Sequence, residues 1–282
     1  MINGSENNND FGRKDFSLGW RSREAASIAQ AGVKETHRIK RESEAVKLVP
    51  FSGLLTNKIL TELPGEEFAR LLPHLEPVSL TCGEDLYGLG EGISSIYFPE
   101  TAVISHLHIL EDGSTTEGAM IGKEGLTGLS AIFSAPPALY WTQVTLSGTA
   151  LRIRAETLQQ EFARGEALQR LLLSYASARI AQLSQRAVCN GRHTVAERLS
   201  SWLLMIHDRV GDNPIPLTHE QIARHLGTRR AGITNAATAL RDAQIISYSR
   251  GQISILNREA LLGTACECYR ALNRQTLTTS LL

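Results

Sequence analysis

The chain has 282 residues, and its 29 Lys and Arg balance its 29 Asp and Glu, so the formal net charge is zero. This length is enough for two domains that each have a hydrophobic core. No apolar run approaches the roughly eighteen residues of a membrane span. The polar start of the chain lacks the apolar core of a signal peptide. The four cysteines are too few and too scattered for a disulfide framework, so we expect a cytoplasmic protein with reduced thiols and no membrane partner.

Residues 1–49 differ in composition from the rest of the chain. They begin rich in Asn and continue with a run from Lys34 to Lys47 that mixes both charge signs and has few large apolar side chains. Such a segment buries too little apolar surface to form a core. We predict a disordered or partly helical extension, which is either a solvated tail or a segment that binds a partner.

Residues 50–156 have the pattern of an all-β domain. Glycines interrupt this stretch every few residues, and the runs at 93–98, 102–110 and 141–146 read as strands, with a hairpin turn at residues 111–113. The stretch holds five Lys or Arg against thirteen Asp or Glu, so it is not expected to bind DNA. We predict a jelly roll, or double-stranded β-helix, of about eight strands.

Residues 157–190 contain no proline and predict one long helix. Its apolar stripe is wider than a contact between two domains needs, which favours pairing with a second copy over a purely intrachain helix. The predicted dimerisation residues are Leu168, Leu172, Tyr175, Ala176 and Leu183.

Residues 191–282 read as a separate, basic domain that follows a hinge at Asn190 and Gly191. The domain holds eleven Lys or Arg against seven Asp or Glu, a surplus that favours contact with phosphate. Residues 195–210 predict its first helix, with Trp202 and Leu203 in the core.

Residues 218–246 have the spacing of a helix-turn-helix. Ala223 is small where two helices approach, Gly227 supplies the turn, and Ile233 lies six residues later on the inner face. The repeat of 3.6 residues per turn places Ile233, Ala236, Ala237 and Leu240 inward. The outer face between residues 229 and 241 is basic and carries no acid, as a helix that reads DNA bases requires, and Thr228 is expected to cap its start. The predicted DNA-binding residues here are Thr218, Thr228, Arg229, Arg230, Thr234, Asn235, Thr238 and Arg241. An ordinary helical hairpin with a solvated face is the alternative.

Residues 245–256 contain two isoleucine-rich runs joined through Ser249, Arg250 and Gly251, which predicts a β-hairpin. Beside a helix-turn-helix, this hairpin would be the wing of a winged helix. Arg250 at its tip is then expected to meet a phosphate, unless the hairpin only completes the core.

A glycine-rich β-roll, a long helix and this winged motif together resemble the Crp/Fnr family of bacterial transcription regulators, over about residues 51–270. The stretch CGEDLYGLGE at residues 82–91 is similar to the early hairpin of cyclic-nucleotide-binding rolls. The resemblance implies that Thr218 meets the DNA backbone, that Arg230 reads guanine, and that the protein acts as a homodimer on inverted repeats, with RNA polymerase as a further partner. The family's reading glutamate is Ala231 here and a later arginine is Asn235, so a different half-site is expected.

The effector is a point where the chain departs from the family, which binds the phosphate of a cyclic nucleotide with an Arg that follows a Gly-Glu pair. Gly122, Lys123, Glu124 and Gly125 stand at about the corresponding place, but no Lys or Arg occurs between residues 126 and 151. A buried phosphate needs such a cation. We therefore expect an unknown small-molecule effector in this pocket, or no effector, rather than a cyclic nucleotide bound in the family's manner.

Two alternatives involve metal. His106, His108 and Glu111 are spaced somewhat like the ligands of cupins, which are jelly-roll enzymes, but the cupin pattern places glycine where Glu100 stands. Cys266 and Cys268 offer two soft ligands, which is fewer than the four that a zinc or iron–sulfur site takes. We therefore predict no catalytic site, no metal and no cofactor, in an α+β protein formed by a jelly roll, a long dimerisation helix and a winged helix-turn-helix.

Overall fold

The computed structural model describes residues 55–133, 137–211 and 214–277, with side chains as far as residue 273. The chain divides into two units, Met1–Ser43 and Glu44–Leu282, and every described residue belongs to the second. The prediction for residues 1–49 therefore lies outside the described residues. None of the helices in these ranges is both long and apolar enough to cross a membrane.

The N-terminal part of the described chain is a β-roll. Helices α1 (Lys58–Thr61) and α2 (Gly65–Leu71) and a 3-10 turn at Leu72–His74 come first. The strands found in the described residues are β1 (Glu76–Leu80), β2 (Asp85–Tyr87), β3 (Ser95–Pro99), β4 (Val103–Ile109), β5 (Thr115–Ile121), β6 (Trp141–Leu146) and β7 (Gly148–Arg154), with helix α3 (Leu129–Phe133) before β6. They pair antiparallel in two sheets, ordered β1-β7-β3 and β2-β6-β4-β5.

The interior of the roll is filled by apolar side chains from both sheets. Val78 and Tyr97 from one sheet pack with Ile104 and Val144 from the other in a single buried cluster. Burying this surface stabilises the roll by about 25 cal/mol for each Å² removed from water. The predicted turn after β4 is confirmed, because Asp112 Oδ1 accepts a hydrogen bond from the Ser114 N–H at 2.9 Å.

The predicted single long helix is divided in two, α4 (Ala155–Phe162) and α5 (Ala167–Arg192). Gly165 lies between them with φ of +76°, a conformation that a right-handed helix cannot contain. The predicted hinge at Asn190 and Gly191 is also displaced, because both residues lie in the last turn of α5. The chain is extended instead at His193 and Thr194, where ψ is 148° and 161°.

The C-terminal part is a winged helix-turn-helix. Its elements are α6 (Val195–Val210), α7 (His219–Leu226), α8 (Arg230–Asp242), β8 (Ile246–Ser249), β9 (Gln252–Ile255), α9 (Arg258–Thr264) and α10 (Cys268–Leu277). Helix α6 has the predicted bounds, and Trp202 and Leu203 are fully buried, as expected. Thr194 starts α6 with a capping box to Glu197, which satisfies backbone N–H groups that the helix itself leaves unpaired.

Candidate nucleic-acid interface

The turn between α7 and α8 is fixed by local chemistry. Thr218 caps α7, accepting a hydrogen bond from the Gln221 N–H, while the Gln221 side chain accepts one from the Thr218 N–H in return. Gly227 ends α7 with φ of +56°, the left-handed conformation that glycine adopts without a steric cost. These two ends set the angle at which α8 crosses α7.

Helix α8 presents the predicted outer face to solvent. Ile233, Ala236, Ala237 and Leu240 are buried, which confirms the inward set. Arg229, Arg230, Ala231, Thr234, Asn235 and Arg241 are exposed, and Thr238 is half-buried. The cap is corrected: Arg229, with no side-chain capping bond, precedes the first helical residue, so Thr228 lies one position too early to cap α8.

Two side chains of this face already have partners within the chain. Thr234 Oγ1 lies 3.2 Å from His219 Nδ1, and the His219 ring stacks on Tyr248 of the wing at a centroid distance of 4.1 Å. Arg241 pairs with the adjacent Asp242 at 2.9 Å, so its charge is partly offset at the end of the helix. Arg229 and Arg230 lie at the N-terminal end of α8, where a recognition helix contacts base edges.

The wing has the predicted hairpin geometry. Strands β8 and β9 pair antiparallel, and Arg250 and Gly251 form the two-residue turn between them, with φ of +51° and +77°. Positive φ at both positions defines a type I′ turn, whose twist matches that of the flanking strands. Arg250 is exposed at the tip, available to a phosphate.

The predicted effector residues meet the DNA-binding domain. Glu124 is nearly buried, and it pairs with Arg209 of α6 at 2.6 Å and accepts a hydrogen bond from the Gly122 N–H at 3.2 Å. Burial alone would raise the pKa of Glu124, but the Arg209 charge and the hydrogen bonds from Arg209 and the Gly122 N–H together outweigh burial and lower it. The Lys123 carbonyl accepts from the Lys58 N–H at 2.7 Å, and Gly125 packs so closely on Tyr175 that a side chain would collide with its ring. A cleft of about 320 Å³, lined partly by Lys123, Glu124 and Arg209, opens beside this loop.

A second link between the roll and the DNA-binding domain centres on Glu117 of β5, which sequence reasoning missed. This fully buried carboxylate lies 2.6 Å from Arg186 of α5 and 2.9 Å from His225 of α7, and Ser105 donates a hydrogen bond to it at 2.6 Å. Burial alone would raise the pKa of Glu117, but Arg186 and His225 hold it well below its ordinary value. An acidic residue at an inward strand position is the signal in the sequence, although its partners come from distant segments.

The predicted dimerisation residues separate into two groups. Leu168, Leu172 and Tyr175 are buried in a cluster between the helices and strands β3 and β7, so a second copy cannot reach them, and their assignment is corrected. Ala176 is half-buried and Leu183 is exposed. Leu183 belongs to an apolar stripe of α5 that is open to solvent, together with Leu173, Ile180 and Val188, which were not predicted.

The histidines of the cupin alternative do not converge on a metal site. His106 stacks on Tyr140 at a centroid distance of 4.1 Å, and burial holds its pKa well below the ordinary value. His108 contacts the edge of the same Tyr140 ring at a centroid distance of 5.8 Å, but His108 and Glu111 are both exposed. In the described part of the chain, one group of three or more His, Cys, Asp or Glu is close enough to hold a metal, and it contains none of these three residues.

The fold and the exposed basic helix define a DNA-binding transcription regulator. Residues 197–263 match the Crp-like helix-turn-helix domain. FixK2 from Bradyrhizobium japonicum has the same fold, with 20% identity and a TM-score of 0.59 over 68% of this chain and 98% of that chain. A regulator assigned to the crp/fnr family from Eubacterium rectale aligns with 17% identity and a TM-score of 0.59, over 73% of this chain and 97% of its own.

A third similar structure is the regulator CLP from Xanthomonas campestris, with 15% identity and a TM-score of 0.54 over 68% of this chain and 99% of that chain. No curated protein sequence matches this chain. The domain match shows that residues 197–263 form a Crp-like helix-turn-helix domain, and the described chain shares its overall fold with these regulators.

Proposed function

We propose that the protein binds inverted-repeat duplex DNA as a homodimer and inserts α8 of each copy into the major groove. The observation that carries this proposal is the outer face of α8, where Arg229, Arg230 and Asn235 are exposed while the opposite face is buried. Arginine donates two hydrogen bonds to a guanine edge and asparagine pairs with adenine. Thr218 and Arg250 flank this face and contact phosphates.

Selection of bound sequences from random duplex DNA tests the proposal. We expect a two-fold repeat whose half-sites are about 10 base pairs apart, because two recognition helices related by symmetry meet successive major grooves. Since Ala231 stands where the family has a reading glutamate, the half-site should differ from the usual family one.

The Arg230→Ala variant tests the reading role. We expect it to weaken binding to the selected site by about 1–3 kcal/mol and to relax the preference at one base pair. Arg164→Ala is the matched control, because Arg164 is an exposed arginine paired with Glu161 away from α8. Equal affinity of both variants for the selected site would overturn the proposal.

The proposed dimer is supported by the exposed apolar stripe of α5. Leu173 and Ile180 are one heptad apart, the spacing of residues that meet a partner helix. Sedimentation equilibrium of Ile180→Glu should show monomers where the native chain is dimeric. Leu139→Glu is the control, because Leu139 on the roll is as exposed as Ile180, at 69% each.

We propose further that no cyclic nucleotide binds in the family's usual manner. Tyr87, Tyr97 and Val144 fill the interior of the roll, and Arg209 holds Glu124 of the predicted effector loop. The Xanthomonas regulator is described as responsive to cyclic di-GMP. Calorimetry with cyclic AMP, cyclic GMP and cyclic di-GMP is expected to show no binding, and saturable heat with any of them would contradict this proposal.

A further inference from the structure

Four potential metal ligands converge where the long helix meets the DNA-binding domain. Cys189 lies in the last turns of α5 and His193 directly follows that helix. Cys268 is the first residue of α10 and Cys266 lies in the loop just before it, more than seventy residues later in the chain. One ligand atom from each of the four residues lies within 4.8 Å of all the others. The sequence pattern offered Cys266 and Cys268 alone, and the fold supplies two further ligands.

Two of the six distances between these ligand atoms equal those of a tetrahedral site around one ion, and the other four are within 4.8 Å. Cys189 Sγ and Cys266 Sγ are 3.6 Å apart, and Cys268 Sγ is 3.6 Å from His193 Nδ1. A zinc ion with Zn–S bonds of about 2.3 Å and Zn–N bonds of about 2.0 Å needs ligand atoms about 3.5–3.8 Å apart. An iron–sulfur cluster carries several iron and sulfide ions between its ligands, so its ligand atoms must be further apart.

Neighbouring groups orient the ligands as the outer shell of a metal site does. His193 Nε2 lies 3.3 Å from the Glu267 carboxylate, which favours the tautomer that leaves Nδ1 free for a metal. The Gln185 amide donates to Cys268 Sγ at 3.0 Å, and the Ser201 hydroxyl lies 3.1 Å from Cys266 Sγ. Hydrogen bonds to sulfur stabilise the thiolate form that binds metal.

We propose that Cys189, His193, Cys266 and Cys268 bind one zinc ion as a closed structural site. Cys3His is a standard ligand set of structural zinc, and its four protein ligands leave no open position for chemistry. The ion would link the end of α5 and the adjacent His193 to Cys266 and to the start of α10. This site is independent of DNA reading, so it stands or falls separately from the function proposed above.

Metal analysis of the untagged full chain, purified without added metal, tests the site. We expect one zinc per chain. The Cys266→Ser and Cys268→Ser double variant should lose it, whereas Cys82→Ser should keep it, because Cys82 is an exposed free cysteine outside the group.

Removal and replacement of the metal in the native chain tests the site even if the double variant does not fold. After a chelator removes the metal, cobalt(II) should restore one equivalent, with the visible absorption of a tetrahedral site and thiolate-to-cobalt bands in the near ultraviolet. The stripped chain should melt at a lower temperature and recover with zinc. Three results would each overturn the assignment: no bound metal with zinc in excess, a Cys189–Cys266 disulfide in the chain as isolated, or copper or iron in place of zinc.

Discussion

Position 227 requires both a left-handed backbone and the absence of a side chain, and glycine is the residue type that meets both requirements. Its φ of +56° is left-handed, and a side chain there would meet Thr116 of the β4–β5 hairpin at 2.5 Å. We expect Gly227→Ala to reduce the free energy of unfolding by at least about 1–2 kcal/mol, measured by chemical denaturation. Gly263→Ala is the control, because Gly263 lies in helix α9 with open space around it and alanine is the better helix former. An equal effect of both substitutions would contradict this account.

Arg250 has a backbone conformation that asparagine tolerates better than arginine. Because φ is +51° there, Arg250→Asn should preserve or slightly raise the melting temperature while removing the charge from the tip of the wing. If Arg250 contacts a phosphate, the dependence of log K on log salt should become shallower by about one unit. An unchanged slope would mean that the wing completes the core without contacting DNA.

Neighbouring residues at the junction between α5 and α6 have different structural roles. Asn190 and Gly191 are exposed in the last turn of α5, so changing both to alanine should leave DNA affinity unchanged and stabilise the helix by up to about 1 kcal/mol. Thr194→Ala removes the capping box of α6 and should cost about 1 kcal/mol. Thermal unfolding and DNA titration of both variants test this, and a loss of affinity in the double-alanine variant would restore the hinge to residues 190–191.

Glu117 joins three parts of the molecule through one buried carboxylate. Glu117→Gln leaves Arg186 without its charge partner, which should cost about 3–5 kcal/mol at neutral pH. The pKa of Glu117 is lower in the folded chain than in the unfolded chain, where it is about 4.3. The contribution of Glu117 to the free energy of unfolding is therefore complete above about pH 4.3 and decreases as the pH falls below that value. Chemical denaturation should therefore show a smaller difference in free energy of unfolding between Glu117→Gln and the native chain at pH 3.5 than at pH 7. Glu66→Gln, at an exposed helix start, should show little difference at either pH.

The sequence by itself determined the features that depend on neighbouring residues. The period of α8 predicted its buried and exposed faces, and the glycine after Arg250 predicted the turn of the wing, because each pattern acts over a few positions. Gly165 carried a signal of the same kind, although the absence of proline favoured one continuous helix over the break that this glycine makes.

Tertiary structure alone decided which apolar side chains of α5 face the roll and which face solvent. Leu172 and Leu173 are adjacent and equally apolar, yet one is in the core and the other is open to solvent. Tertiary structure also decided the partner of Glu124, because Arg209 comes from another domain. It decided the partner of Cys189 as well, because Cys266 lies 77 residues later in the sequence. The physical reason is that burial, charge pairing and ligand geometry arise between segments remote in the chain, and local patterns carry no information about which segments meet.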